Sequence, residues 1–369
     1  MVTRRFHDSD PAVDGLYSDL AEADLQPLWR QEGLLPRTPN RLTPFLWRWK
    51  TLRDLAGRSG ELVGIDRGGD RRVLALAHPD LGGLPFATHT LWGAVQFLGG
   101  GELAPAHRHS PAALRLVLEG TGVWTLVNGD PIAMEPGDLV LTPGQTWHEH
   151  HNPGTEPMVW FDGLDLPLVR NLDAVFFEPG PDELSDYSPR PHSSSEQRFS
   201  VAGLVPVVDP VPVEPTGPGR FSPLLAYRWS AVDAALSQLI DAGGFGAATV
   251  RYSDPTSGRD VMPTLRAEMH RMLAGHQTPA TRRVGSGIWL VFRGSGSTVV
   301  DGHAFSWSAG DILVTPSWSA VEHEAFEDSD LFLLSDEPVI EAAGLARTAN
   351  EPTQGVREGG LAQASTAGS

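Results

Sequence analysis

The chain has 369 residues, 40% of them hydrophobic and 20% charged, enough to bury a sizeable core and long enough to favour two domains of similar size. Its formal net charge of -18, from 28 Lys and Arg against 46 Asp and Glu, argues against nucleic acid as a partner, because phosphate binding rests on basic side chains. With no cysteine, disulfides, thiolate zinc sites and cysteine nucleophiles are excluded.

The opening MVTRRFHDSD lacks an apolar signal region, and no later run of about 18 apolar residues could span a bilayer, so no membrane partner and a cytoplasmic location are expected. Residues 1–70 read as a helical arm. VDGLYSDLAEADLQPLWRQEGLL places Leu16, Leu20, Leu25 and Leu28/Trp29 near one helical face; Pro36, Pro39 and Pro44 interrupt it, and PFLWRWKTLRDLAGR makes a second short helix. Such an arm packs on a barrel or on a partner subunit.

From Arg71 to residue 177 the pattern changes to short β runs: RRVLALAHP, THTLWGAVQFLGGGE, LRLVLEG, GVWTLVNG, PIAMEPGDLVLTP and EPMVWFDGLDLP. Turn residues separate them at roughly ten-residue intervals, as in an antiparallel sandwich or barrel, and Asn128-Gly129 is the strongest hairpin turn. Residues 178–226 are rich in Pro, Ser, Gly and Glu and read as a linker. YRWSAVDAALSQLIDAG, from Tyr227, reads as an amphipathic helix burying Ala231, Ala234, Leu236 and Leu239. A second β-rich block belongs to a domain over residues 227–345, and the polar, Gly-rich stretch 346–369 reads as a disordered tail.

The second block repeats the first. Arg293-Gly-Ser-Gly296 answers Glu119-Gly-Thr-Gly122, and Val300-Asp-Gly302 answers Val127-Asn-Gly129. Ala309-Gly-Asp-Ile-Leu-Val-Thr-Pro316 answers Pro136-Gly-Asp-Leu-Val-Leu-Thr-Pro143, and Glu322-His323 answers Glu149-His150. In this alignment Thr281, Arg283 and Val321 stand where the first copy has His107, His109 and His148. Those three histidines are the candidate metal ligands, so one metal per chain is expected, in the first copy. Residues i and i+2 of a strand face the same way, so His107 and His109 point inward together, and His148 from another strand completes a three-imidazole face. Neutral imidazoles leave a divalent cation its full charge and open positions for anionic chelators and O2, although ligand type alone does not separate zinc from iron.

Gly101-x5-His107-x-His109, then Gly137-x5-Pro143 with His148-x3-Asn152, resemble the two motifs of the cupin superfamily. The usual glutamate ligand of that family is absent, since Ala113 and Leu114 occupy its place, which points to a three-histidine subclass. Over nearly the whole chain, AHRHSPAALRLVLEG, GDLVLTPGQTWHEHHN, WFDGLDLPLV and SPLLAYRW resemble the gentisate 1,2-dioxygenase family, which includes salicylate and 1-hydroxy-2-naphthoate dioxygenases. The resemblance implies an all-β-dominated fold of two cupin (double-stranded β-helix) barrels with an N-terminal helical arm and a few peripheral helices. It also implies Fe(II), O2 as co-substrate, ring opening of a hydroxylated aromatic acid with gentisate preferred, and a homotetramer or homodimer.

Several polar residues match the pocket positions of that family. Arg115, six residues beyond His109, is expected inward on the same strand, binding a carboxylate or a reduced dioxygen species. Arg71 is a second carboxylate-binding candidate, while Trp92 and Gln96 share one strand face as a stacking wall and a hydrogen-bonding group. His150 is inward with His148 and suited to moving a proton, and Asp162 is expected to orient a histidine. Ordinary ion pairing for Arg71 and Asp162, and simple core packing for Trp92, are the plainer alternatives. His151 is expected to point away from the site and His323 to be structural. A non-catalytic binding bicupin or a metal-dependent isomerase are the rivals from other classes; neither fits Arg115 and His150 as well as oxygen chemistry does.

Overall fold

The computed structural model describes residues 11–31, 34, 39, 42–64, 72–180, 190–201, 204, 221–244 and 246–350. Most of the expected linker and the end of the expected tail lie outside them, as does Arg71. The chain divides into a unit ending at Asn40 and a unit from Arg41 onward. In the first, helix α1 (Pro11–Glu22) stops before the expected face is complete. Asp24 turns into the left-handed region at φ 53° and Pro27 cannot donate to a continuing helix. Leu25, Leu28 and Trp29 therefore fall beyond it, and the Trp29 indole donates to the Tyr17 hydroxyl at 3.2 Å.

The second unit is built of β sheets. Strand β1 (Phe45–Trp47) and helix α2 (Trp49–Leu62) precede β2 (Val73–Ala75), β3 (Trp92–Leu98), β4 (Leu103–His109), β5 (Ala113–Glu119), β6 (Trp124–Val127) and β7 (Asp130–Ala133). Then come β8 (Leu139–Thr142), β9 (His148–His151), β10 (Met158–Leu164), α3 (Leu166–Asn171) and β11 (Phe177–Pro179). Helix α4 (Ser194–Phe199), β12 (Ala226–Tyr227) and α5 (Trp229–Gly243) lead into β13 (Ala247–Arg251), β14 (Arg266–Met272), β15 (Thr281–Arg283), β16 (Gly287–Arg293), β17 (Ser295–Val300) and β18 (His303–Ser308). The last elements are β19 (Ile312–Thr315), β20 (Ala320–Ala325), β21 (Ser329–Ser335), α6 (Glu337–Ala342) and β22 (Thr348–Asn350).

Each barrel is a pair of sheets. The first has the order β12-β8-β5-β10-β3-β2 against β11-β4-β9-β6-β7; the second has β1-β19-β16-β21-β14-β13 against β18-β17-β20-β15-β22. The fold is thus the all-β pair of cupin barrels expected from the sequence. The Asn128-Gly129 turn closes β6 on β7 with both residues at positive φ (46° and 82°), and Asp301-Gly302 repeats it between β17 and β18.

The six-stranded sheets also share a core. Along β10, Trp160 and Asp162 face the first barrel's interior, whereas Phe161 meets Phe332 of the second barrel at 6.3 Å between ring centroids. Phe161, Phe332, Leu114, Ile288 and Leu334 are all fully buried in one cluster. A strand covered on both faces reads as a continuous apolar run, as MVWF does.

The barrels exchange edge strands, which the sequence reading did not anticipate. Strand β1, inside the stretch read as an arm, pairs with β19 of the second barrel, and β12 pairs with β8 of the first. Two Arg-Trp pairs fasten the exchange: Arg48 Nη1 donates to Asp311 at 2.8 Å and Arg228 Nη1 to Asp138 at 2.6 Å, while the Trp49 and Trp229 backbone N–H groups cap the same carboxylates. Gly137, at φ 86°, leaves room for Trp229, where a Cβ would lie 2.7 Å from the indole. A further reciprocal pair joins Thr264 to Asp165 and Thr90 to Asp336, each at 2.5 Å.

Helix α5 buries Val232 and Leu236 rather than Ala231, Ala234 and Leu239; Leu239 is 47% exposed. The buried pair is spaced i, i+4 and lies on the face that follows from Trp229 being anchored at the helix start. No described helix is long and apolar enough to cross a membrane.

Candidate metal centre

His107 and His109 lie on β4, and register pairs His107 with His148 on β9. Their ring centroids are 4.2 Å apart for His107–His148, 4.9 Å for His109–His148 and 5.7 Å for His107–His109. One ring nitrogen from each lies within 4.8 Å of the others, a spacing that a single ion can bridge.

The backbone settles which nitrogen each ring offers. Nδ1 of His107 is 2.9 Å from the Pro105 carbonyl, Nδ1 of His109 is 2.7 Å from the Pro111 carbonyl, and Nδ1 of His148 is 3.0 Å from the Thr146 carbonyl. A carbonyl only accepts, so each Nδ1 carries the proton and each Nε2 keeps its lone pair. His148 Nε2 is buried without a hydrogen-bond partner, which is costly unless an ion takes it. Burial first, then the nearby His107, Arg115, His109 and His150, holds the His148 ring well below the usual histidine range, so it stays neutral and ready to ligate. The residues present therefore fit a divalent metal.

The six-stranded sheet supplies the opposite wall. Arg115 is on β5, not on the strand of His109 as its spacing suggested, because residues 110–112 turn the chain from one sheet into the other. It faces the interior all the same, opposite Asp162 of β10. Its Nε lies 3.1 Å from Asp162 Oδ1, in a direction that makes an ion pair without a hydrogen bond, and its Nη1 donates to Thr142 Oγ1. The anion that makes this buried cation tolerable is thus part of the protein. Asp162 accepts from the Trp160 indole at 3.1 Å and orients Arg115 rather than a histidine, since strand register places Arg115 directly across from it. Burial pushes the Asp162 carboxyl up to about 6, against the opposing pull of Arg115 and Trp160.

His150 is buried, with its ring centroid 6.0 Å from that of His148 and 5.4 Å from that of Trp160; its Nδ1 is 2.7 Å from Thr125 Oγ1. Gln96 is buried opposite Trp160 on the same face, while Trp92 begins its strand half-buried, opposite Leu164. Arg71 lies outside the described residues. Its neighbour Arg72 is not a substitute, being buried in an ion pair with Glu102. His151 turns away from the interior and stacks on Trp124 at 3.9 Å.

Thr125, Thr142 and Trp160 hold the site together but were not singled out from the sequence. A signal for the threonines was present: Thr125 and Thr142 recur in the second barrel as Thr298 and Thr315, the former again 2.8 Å from a histidine, His323. The second barrel keeps the frame and changes the contents. Register sets Thr281 opposite Val321, where the first barrel has His107 opposite His148.

A protein-family profile for the cupin domain matches residues 94–164, spanning all three candidate ligands. Among curated proteins, the chain is 49% identical to a gentisate 1,2-dioxygenase of a Streptomyces species, covering 91% of this chain and 95% of that one. It is 35% identical to a 5-aminosalicylate 1,2-dioxygenase of a Comamonas species, over 91% and 89%. Among solved structures it is similar to salicylate 1,2-dioxygenase from Pseudoaminobacter salicylatoxidans in a gentisate adduct, with a TM-score of 0.89 and 42% identity over 96% and 98% of the chains.

Proposed function

Since the chain belongs to the gentisate 1,2-dioxygenase family, we propose that it opens aromatic hydroxy acids with Fe(II), and gentisate in preference to salicylate, substituted salicylates or 1-hydroxy-2-naphthoate. The observation that carries this reading is the convergence of ring nitrogens from His107, His109 and His148 beside a buried guanidinium, Arg115, near enough to His148 to disfavour its charged form. A metal alone fits many reactions; a metal facing an arginine fits an anionic chelate.

His107, His109 and His148 would hold ferrous iron, which would supply Lewis acidity toward an anionic chelating substrate and electron exchange with O2. The remaining tasks fall to side chains. Arg115 binds the carboxylate through the guanidinium N–H groups that Asp162 and Thr142 leave over. Asp162 holds that guanidinium in place. His150 has Nδ1 engaged by Thr125, so Nε2 is the atom that takes the proton of the substrate hydroxyl. Gln96 and Trp92 line the ring's wall, and Arg71 serves as the second carboxylate arginine. Both atoms of O2 end in the product, between the carboxyl-bearing and hydroxyl-bearing carbons; gentisate gives maleylpyruvate.

We also read the enzyme as a cytoplasmic homotetramer or homodimer. Leu172, Phe176 and Phe177 support the assembly, being exposed beside the histidine strand, where Phe177 stacks on His107 at 5.6 Å.

The test is anaerobic reconstitution with Fe(II), followed by O2 uptake and ultraviolet spectra with gentisate, salicylate and 1-hydroxy-2-naphthoate. Stoichiometric uptake with loss of the aromatic absorbance is expected, with gentisate the fastest. No uptake with any of the three, in protein shown to contain iron, would sink the proposal.

A further inference from the structure

The second barrel has lost the metal ligands but not the space between its sheets. A cavity of about 330 Å³ lies there, lined by residues that include His270, Thr281, Arg283, Trp289, His323 and Ser335. Strand register shows what replaced what: Trp289 stands at the position of Arg115, His270 at that of Gln96, and Leu333 at that of Asp162. The buried ion pair has become an indole beside an aliphatic chain. His270 and His323 flank Trp289 at ring-centroid distances of 4.9 Å and 4.4 Å.

Two polar atoms on this lining are buried without partners, His323 Nε2 and Ser335 Oγ. Each residue is 7% exposed. Buried polar groups are nearly always satisfied, so a pair of them on one cavity marks the place of something that bonds to both. The direction of the His323 bond can be worked out. Thr298 Oγ1 already accepts from the Trp307 indole at 2.9 Å, and it lies 2.8 Å from His323 Nδ1. The hydroxyl proton is satisfied when Thr298 donates to Nδ1, which puts the imidazole proton on Nε2, pointing at the cavity. Burial pushes His323 down to about 3, so it is a neutral donor rather than a cation.

Charge at this site comes from Arg283, at the position of His109. It is 55% exposed and only 3.8 Å from Glu337, whose carboxylate is itself held by Arg266 at 2.8 Å. By contrast, the polar atoms of His270 are occupied, by Thr249 at 2.9 Å and by Glu268 at 3.2 Å. Two acids also line the cavity, but Asp336 is engaged by the Thr90 hydroxyl and the Ser286 N–H, and Glu337 by Arg266. The lining thus offers one rim cation, one neutral N–H donor without a partner, one hydroxyl without a partner among several, and an aromatic wall. That set matches a planar ring bearing a single carboxylate. We propose that the second barrel is a metal-independent binding site for a monoanionic aromatic acid, with the ring against Trp289, the carboxylate toward Arg283 and a ring oxygen or carboxylate oxygen accepting from His323.

The proposal rests on the second barrel alone and does not depend on the reaction of the first. It is tested by calorimetric titration of the metal-loaded full chain with benzoate, which lacks the ortho hydroxyl, and with cyclohexanecarboxylate, which keeps the charge but not the aromatic face. Two benzoates per chain are expected, one of them weakened at least tenfold by Arg283→Ala and by His323→Leu while the other is unchanged. Cyclohexanecarboxylate should bind this second site at least fivefold more weakly. Arg283 is exposed, so its replacement tests the site even where His323→Leu disturbs folding. The absence of any benzoate site weakened by Arg283→Ala overturns the proposal; so does equal binding of the two acids there.

Discussion

Arg115 and Asp162 form a buried ion pair with a proposed part in substrate binding, and the two halves of the pair should respond differently to removal. Each side chain is about 5% exposed or less, and the charges are 3.1 Å apart. Asp162→Ala strands a guanidinium that cannot shed its proton, at a cost of about 3–5 kcal/mol. Arg115→Met strands a carboxyl already pushed up to about 6 by burial, and losing the arginine moves it further upward. At pH 6 it is then mostly neutral and still accepts from Trp160, so the cost falls to about 1–3 kcal/mol. The double variant removes both charges, and the cycle should show a favourable coupling of at least about 2 kcal/mol. Urea unfolding of the metal-free protein at pH 6 measures all four corners. Kinetics should invert the order: Arg115→Met raises KM at least tenfold, whereas Asp162→Ala does not, because the substrate carboxylate supplies the anion that Arg115 has lost. Equal stability costs for the two single variants, or a KM indifferent to Arg115→Met, would refute the reasoning.

Three further outcomes follow from the geometry. His148→Ala should abolish metal binding by elemental analysis, and His323→Ala should leave metal content unchanged, since among the described residues only His107, His109 and His148 bring ligand atoms close enough to share an ion. Arg228→Ala leaves the Asp138 and Glu196 carboxylates, both buried, without their shared cation; with Arg228 partly exposed, a loss of about 2–3 kcal/mol in urea unfolding is expected. His323 has its folded pKa depressed to about 3, so its contribution is intact above its unfolded value near 6.5 and is lost as pH falls below that, where the unfolded chain takes the proton. At pH 5 the loss is roughly 2 kcal/mol, and His323→Gln should flatten the pH dependence of the urea midpoint between pH 7.5 and pH 5 by that amount.

The histidine set was legible in the sequence because a strand's two-residue period and a duplicated motif are local facts. His107 and His109 must share a face, and the second copy shows by contrast which residues are dispensable to the barrel. The Asn128-Gly129 turn was legible for the same reason, since positive φ at two successive positions is a demand on residue type alone. The partner of Arg115 was not. Asp162 lies 47 residues further along, and only the register of β5 on β10 brings the two together. Nor could periodicity show that Phe45–Trp47 and Ala226–Tyr227 each complete the other barrel. An edge strand of two or three residues has too little pattern to choose a partner, and the choice is made by the buried carboxylates of Asp311 and Asp138. The sequence by itself determined which residues can hold a metal. The tertiary structure decided what faces it, because the opposite wall comes from strands whose pairing is set by burial on both sides of a shared core.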